Sequence, residues 1–547
     1  MSRLRSNVSL YSDLNTHKCA SAAKKIINKL HPKFNPNASP RKDNLTLTHR
    51  RREKNTRAIV NRHGEIIFDP TVTAKTSLSE CFRIFAKSTQ TQAPAYRLQH
   101  PSIRRCTGND LLTVYTDGSC VMNGRADARC GSGIWIADNH PLNKSLRIPG
   151  PSQSNQIGKI AAILVALQSI NPLTPIKFVT DSKYLIDGLT THLQRWEDTG
   201  WIGIANSTYF RATAYHLRKR SAPTSFQWVK GHSGIQGNEE ADRLATQGAE
   251  KEQADHIDLS IPPNFDLQGA KLASITQRTA YQGLLSSMNL DYQESTLNLL
   301  DTTRYSIQSL TNSLMTDAAI WNGCRNPDLS KKIQQFLFKT LHNTHRIGSF
   351  WLRVRNYEER ARCSACNTNV ETMEHILFNC DDPTNNIIWT ATKDLWLRTG
   401  SSDWPTMSIG LLLGCGVLHV PHTQEDDNTD NQDSERYKQG ASRLLRILIS
   451  ESAYLIWTIR CERSIQGRTH TPDTIIKRWH NTLLRRLQLD RAIAASSRRN
   501  LKLTQLIHST WNGIIRMNNP PQENWVINPE VLVGITLPRP PQPGVTR

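Results

Sequence analysis

Between Leu111 and Glu250 the apolar pattern switches back and forth between the two-residue period of strands and the longer period of helices. No other feature narrows the possible folds as far. "LLTVYTDGS" is β-rich, "GSGIWIA" supplies a second strand and "SLRIPG" a third. "NQIGKIAAILVALQSI" has helical periodicity, and "IKFVTDS" is a buried strand that ends in an acid. After a mixed helical stretch, "TSFQWVKGHSG" runs from strand into loop, and "NEEADRLATQGAEKE" closes the unit as an amphipathic helix. Strands followed by helices around a mixed sheet predict a compact α/β domain over residues 111–250.

The rest of the 547 residues reads differently. Residues 1–105 contain "SPRKDNLTLTHRRREKNTR", which is basic with few apolar residues in phase, so this region is expected to be only partly ordered. Within it "GEIIFDPTVT" and "LSECFRIFAK" each suit a short element. Residues 265–400 and 401–530 are mostly helical in period, interrupted by the acidic stretch "TQEDDNTDNQDSE", and residues 531–547 form a proline-rich tail. Lysine and arginine number 68 against 47 acids, a net charge of +21 that favours a polyanionic partner such as nucleic acid. No apolar run approaches the roughly 20 residues needed to span a bilayer, so no membrane partner is expected. "MSRLRSNVSL" lacks a signal core, which predicts a soluble intracellular protein without resolving nucleus from cytoplasm. Eleven cysteines with one compact cluster suit reduced thiols and a metal site better than a disulfide framework.

Acids stand at the ends of the predicted strands. Asp117 lies in "YTDGS", Asp181 in "VTDS", and Asp242 in the last helix. A pair of Mg²⁺ (or Mn²⁺) ions clamping an in-line attack on a phosphodiester needs several convergent carboxylates of this kind. Taken singly, each reads as readily as a helix cap or a surface acid.

The words "YTDGSCVMNG", "SNQ" before a helix, "TDSKYLIDGL" and "WVKGHSGIQGNEEADRLATQGA" occur in this order, and together they closely resemble the cellular type-1 ribonuclease H family. The resemblance covers residues 111–250. It implies a ribonuclease H-like mixed five-strand sheet with flanking helices, and hydrolysis of the RNA strand of an RNA/DNA hybrid by two Mg²⁺ ions. Carried over by position, Asp117, Asp181 and Asp242 would be metal ligands. His232 in the "GHSG" loop would shuttle protons or aid product release, a task suited to a group titrating near pH 6.5. Asn123, Asn155 and Gln156 fall where the family touches RNA sugar hydroxyls. Trp196 and Trp201 sit in a segment resembling the family's hybrid-binding extension, a spacing equally common in cores.

One position departs from the family. Its remaining ligand is a Glu at the start of the helix after "NQ", and here that residue is Lys159. No acid occurs between Asp138 and Asp181, so the carboxylate is absent and not displaced by a slip of register. A unit charge about 4 Å from a divalent ion, at an effective dielectric near 20, corresponds to on the order of 8 kcal/mol, and Lys reverses its sign. The flexible lysine stem makes that an upper bound. Weakened metal binding and little hydrolysis are expected. Two alternatives stand beside decay by a single-base change: the ammonium replaces one metal ion in catalysis, or the domain persists as a hybrid-binding protein.

"CSACNTNVETMEHILFNC" places Cys363, Cys366, His375 and Cys380 as C-x2-C-x8-H-x4-C. Three thiolates and an imidazole suit tetrahedral Zn²⁺, and four protein ligands leave no open position, so the zinc would be structural. With "FLFKTLHNTHRIGSFW" before it, this cluster resembles the zinc-binding segment downstream of reverse transcriptase and ribonuclease H in LINE-type retrotransposon polyproteins. The whole then reads as a ribonuclease H domain followed by a mostly helical zinc-containing region. Three functions follow: an impaired ribonuclease H, an inactive hybrid binder, or a retroelement relic.

Overall fold

The computed structural model describes residues 21, 47–69, 83–85, 111–220, 222–262, 269–288, 291–367, 370–399, 404–420, 432–497, 500–516, 525–528 and 531–535. Most of the expected basic N-terminal region, the acidic stretch through residue 431 and the proline-rich tail beyond residue 535 lie outside them. Two compact units divide the chain at Leu290 and Asp291.

In the first unit, helix α1 (His49–Asn61) leads into β1 (Glu65–Ile67), and a short β2 (Arg83–Ile84) follows. Then come β3 (Leu112–Val121), β4 (Arg129–Trp135), β5 (Lys144–Arg147), α2 (Asn155–Ser169) and β6 (Ile176–Thr180). After α3 (Lys183–Leu189), α4 (Leu193–Asp198) and α5 (Ser207–Lys219), the chain forms β7 (Thr224–Trp228) and α6 (Gln236–Glu250). β8 (Ala270–Lys271) and α7 (Gln277–Ser287) complete the unit.

The sheet is mixed, as expected, but has six strands in the order β1-β7-β6-β3-β4-β5. β3, β6 and β7 run parallel, while β4, β5 and β1 are antiparallel to their neighbours. The additional strand is β1, whose Glu65, Ile66 and Ile67 pair with Gln227, Phe226 and Ser225 on what would otherwise be a free edge. Composition pointed to partial order here, with a short element in "GEIIFDPTVT". Ile66 and Phe68 nevertheless bury themselves in the domain core, and the Asn55 side chain both donates to and accepts from the Ile67 backbone. Residues 269–288 also belong to this unit, through pairing of β8 with β2.

α2 is apolar around most of its circumference, with Ile157 to Leu167 all buried, because it is a core helix packed on the sheet. Its N-terminus is capped by Ser154, whose hydroxyl accepts from the Ile157 amide at 3.3 Å. At Gly118 a side chain has no room: a Cβ would stand 2.3 Å from the Lys159 backbone nitrogen. That close approach brings the first turn of α2 against β3, where Asp117 sits.

The second unit is mostly helical: α8 (Glu294–Thr311), α9 (Asp317–Gly323), α10 (Lys331–Leu341), α11 (Pro383–Leu397), α12 (Ile409–Leu413), α13 (Gln432–Gln466), α14 (Pro472–Ser496) and α15 (Leu501–Trp511). Residues 432–435, expected as the end of an acidic loop, are the start of the long α13. Its core contains Trp479, Trp511 and Trp525. Arginines here are matched by acids: the buried Arg443 donates two bonds to Asp490 at 2.7 and 2.9 Å, and the half-buried Arg460 pairs with the buried Glu371. No helix among the described residues is long and apolar enough to cross a membrane.

Candidate functional site

Asp117 emerges from the middle of β3, and Asp181 follows the C-terminal end of β6, its parallel neighbour. Lys159 projects from the first turn of α2 into the space between them. Its Nζ lies 2.6 Å from Asp117 Oδ1 and also donates to Asp181 Oδ1. Lys159 is 9% exposed and Asp117 5%, so this pair is screened from solvent, while Asp181 is half-buried. Burial by itself would lower the lysine's pKa, but Asp117 and Asp181 outweigh it and hold the ammonium above its ordinary value. The lysine is therefore a fixed cation on two of the carboxylates expected to hold metal.

The surrounding groups keep this arrangement in place. The Gly118 amide donates to Asp117 Oδ1 at 2.7 Å, and the Trp228 indole donates to the Asp181 carbonyl at 2.8 Å. Trp228, which carries the Lys183 ammonium 4.3 Å over its ring, was not anticipated; its place at the end of "FQW", beside the strand bearing Asp181, was the available signal. Gly231 touches the Asp181 carboxylate, since a Cβ there would lie 2.9 Å from Oδ2. His232, the next residue, is exposed and left-handed at φ 51°, so the "GHSG" loop borders the triad.

The remaining predicted residues lie around this centre. Gln156 is half-buried and accepts from the Ser182 hydroxyl at 3.4 Å, next to Asp181 in sequence. Asn155 begins α2, and Asn123 is exposed beyond the end of β3. Asp242 is half-buried on α6, a helix held to β3 by the bond from Thr246 to Ser119 at 3.2 Å. It does not join the triad: among the described residues, the sole convergent set of three or more candidate ligands is elsewhere, at Cys363. Trp196 and Trp201 pack together at 5.9 Å, and Trp196 meets Phe210 at 4.9 Å, so they serve as core. Two Mg²⁺ ions do not fit this centre as it stands, because an ammonium already neutralises their donors.

The cysteine cluster behaves differently. Cys363, Cys366, His375 and Cys380 place their ligand atoms within 4.8 Å of one another. Cys363 to Cys380 is 3.7 Å and Cys366 to Cys380 is 3.9 Å, with Cys366 Sγ 3.2 Å from His375 Nε2. A disulfide needs about 2.05 Å between sulfurs. The edge of a tetrahedron with bonds of about 2.3 Å is ~3.8 Å, so the sulfurs fit a zinc ion. Burial and the neighbouring Cys363 and Cys366 push the Cys380 thiol up, as expected of thiolates that need a cation between them. His375 is presented by a single wide helical turn, His375–Asn379, that ends at Cys380.

The RNase H family model matches residues 109–250. Ribonuclease H1 of Homo sapiens is 39% identical over 149 residues, which is 26% of this chain and 52% of that protein. Ribonuclease H of Alcanivorax borkumensis is 32% identical over 145 residues, covering 26% of this chain and 92% of that protein. For Pseudomonas paraeruginosa ribonuclease H the identity is 31% over 149 residues, with coverage of 26% and 95%. The chain thus spans about half the length of its mammalian relatives and nearly all of the bacterial ones. Sheet order, helix placement and these matches agree over the same residues, and the chain belongs to the ribonuclease H family through its domain at 109–250.

Proposed function

We propose that residues 109–250 bind RNA/DNA hybrids in the manner of ribonuclease H while hydrolysis of the RNA strand is suppressed by Lys159. The observation that carries this reading is the contact of one buried ammonium with both Asp117 and Asp181. A divalent ion would have to displace that cation and then bind with a ligand fewer. Hybrid recognition asks less. Asn123, Asn155 and Gln156 retain amides that donate and accept, suited to sugar hydroxyls, and a positive centre favours phosphate. His232 stands beside Asp181 where it would assist a reaction if ions were bound.

In the second unit, Cys363, Cys366, His375 and Cys380 would hold a structural Zn²⁺ that closes the segment between α10 and α11. A ribonuclease H domain followed by such a cluster suits the C-terminal part of a LINE-type retrotransposon polyprotein. Cleavage of a labelled RNA/DNA hybrid in Mg²⁺ and in Mn²⁺ tests the main reading, with hybrid binding followed in parallel. The native protein is expected to bind without cutting, and Lys159→Glu to cut. Equal cleavage by both would refute suppression and make Lys159 a working part of the reaction.

A further inference from the structure

Immediately before the zinc cluster, residues 346–362 form an exposed strap of two short 3₁₀ turns, Gly348–Arg353 and Glu358–Ala361. It carries five exposed arginines, at 346, 353, 355, 360 and 362, against the two acids Glu358 and Glu359. Among the described residues, no carboxylate pairs with any of the five. The contrast with Arg443, Arg446 and Arg460, each bound to a buried or half-buried acid of the same unit, is sharp. These five charges are exposed and, among the described residues, have no carboxylate to neutralise them, the one polar contact being from the Arg353 guanidinium to the Ser349 carbonyl at 3.4 Å.

Aromatic rings hold two of them in place. Arg346 lies 5.6 Å over the Phe350 ring, and Arg360 lies 5.2 Å from the Trp351 ring and 4.8 Å from that of Tyr357. Phe350 and Trp351 meet edge to face at 5.2 Å, and Trp351 and Tyr357 are 6.1 Å apart, so cations and rings alternate in one continuous row. The Trp351 indole donates to the Arg346 carbonyl at 2.9 Å, which fixes the row's centre. Tyr357 is 46% exposed, so that part of its ring beyond the Arg360 and Trp351 contacts is open to solvent.

The strap is also anchored to the zinc segment. Gly348 passes so close to Glu371 that a Cβ would lie 1.9 Å from its carbonyl oxygen, and the Glu371 amide donates to the Ala361 carbonyl at 2.8 Å. Glu371 is in turn held by Arg460. Ordering the cluster therefore orders the strap.

We infer that this row binds single-stranded nucleic acid, the arginines taking phosphates and the exposed face of Tyr357 and its neighbours stacking on bases. Planar guanidinium forks match phosphate, rings accept any base, and interleaving the two is the chemistry of sequence-tolerant single-strand binding. Double-helical nucleic acid would offer the phosphates but keep its bases stacked inside. An acidic protein would use the arginines and leave the rings idle. This surface belongs to the second unit, so its test is independent of the reading given to Lys159.

The experiment measures binding of short fluorescent single-stranded RNA and DNA of mixed sequence to the full zinc-loaded chain across a salt series. The triple variant Arg346→Ser, Arg353→Ser, Arg360→Ser should lose about tenfold or more in affinity for both strands, with the slope of log K against log salt shallower by about 2. Tyr357→Ala should lose roughly fivefold or more with that slope unchanged, the signature of stacking and not charge. Zinc content and melting temperature report whether each variant is folded, and the exposed Tyr357 change decides the matter if the triple variant is not. Native affinity in the Tyr357 variant, or displacement of the oligonucleotide by polyglutamate of equal charge at equal concentration, would overturn the proposal in favour of a general anion surface or an acidic protein partner.

Discussion

Replacing Lys159 by Met removes the ammonium while keeping a long apolar stem, and the consequences can be worked from the triad. The Nζ to Asp117 contact at 2.6 Å corresponds to about 6 kcal/mol of gross attraction at an effective dielectric near 20. Asp181 adds a term of similar size, and desolvation of three charges offsets most of the sum. Breaking a buried pair by removing one partner typically costs about 3–5 kcal/mol. For a unit of this size that is on the order of 6–20 °C in melting temperature. What distinguishes the triad from an ordinary ion pair is the rescue. Asp117 and Asp181 left without a cation form an incipient divalent site, so millimolar Mg²⁺ or Ca²⁺ should restore stability to the Met variant and leave the native protein unmoved. An ion at about 100 times its dissociation constant returns about 2.7 kcal/mol. Differential scanning calorimetry of both proteins, with and without the ion, reads this directly. If Mg²⁺ raises the native melting temperature as much as the variant's, the ammonium does not occupy the cation position and the argument fails.

Chelation, or Cys366→Ser, should remove one zinc per chain, expose thiols of the cluster to a thiol reagent and lower the melting temperature of the second unit by on the order of 5–10 °C. Unchanged thiol reactivity after chelation would show that no metal is held there. His216 is half-buried, its Nε2 3.3 Å from the Gln168 amide, and desolvation followed by Lys219 lowers its pKa to about 4. Its folded value is depressed, so above pH 6.5 both states are neutral and no dependence arises; between 6.5 and about 4 only the unfolded chain takes the proton. Stability should therefore fall by up to about 3 kcal/mol as pH drops through that window. Denaturant melts at a series of pH values should show this loss, and His216→Phe should abolish it.

Much of the first domain could be read in advance because its signals are local. Ser154 before an apolar helical run and Asp181 at the end of the short apolar-rich strand "IKFVT" each state their own environment. A short element in "GEIIFDPTVT" was legible, but its place in the sheet was not, because that depends on partners far along the chain. The strand at 65–67 is stable only because β7, some 160 residues later, offers an open edge to pair with. The helix at 49–61 follows from that docking and not from its basic composition. At the site, the acids and Lys159 were visible as residue types. Their contact was not, because whether a lysine stem turns to solvent or to a carboxylate depends on how closely the helix bearing it packs against the strand bearing Asp117, a distance set by backbone contact at Gly118. In the second unit the ligand spacing announced a cluster, while the arginine and aromatic strap before it has no periodicity to give it away.

The triad also explains how a glutamate position can carry lysine without loss of the fold. With Glu at 159 the buried centre would hold three carboxylates within reach of one another, a charge of −3 that is tolerable only with divalent ions bound. With Lys the same centre carries −1 and contains its own counter-ion. Most single changes that place a lysine in a core leave a buried charge unpaired and are strongly destabilising. Here the neighbours are two carboxylates, and the lysine side chain is long enough to reach both. On the proposed reading, stability and catalysis separate at this residue: the chain itself meets the electrostatic need that metal ions would meet, and the in-line clamp that two ions would provide would be lost, while the residues proposed to recognise hybrid would stay in place around the centre.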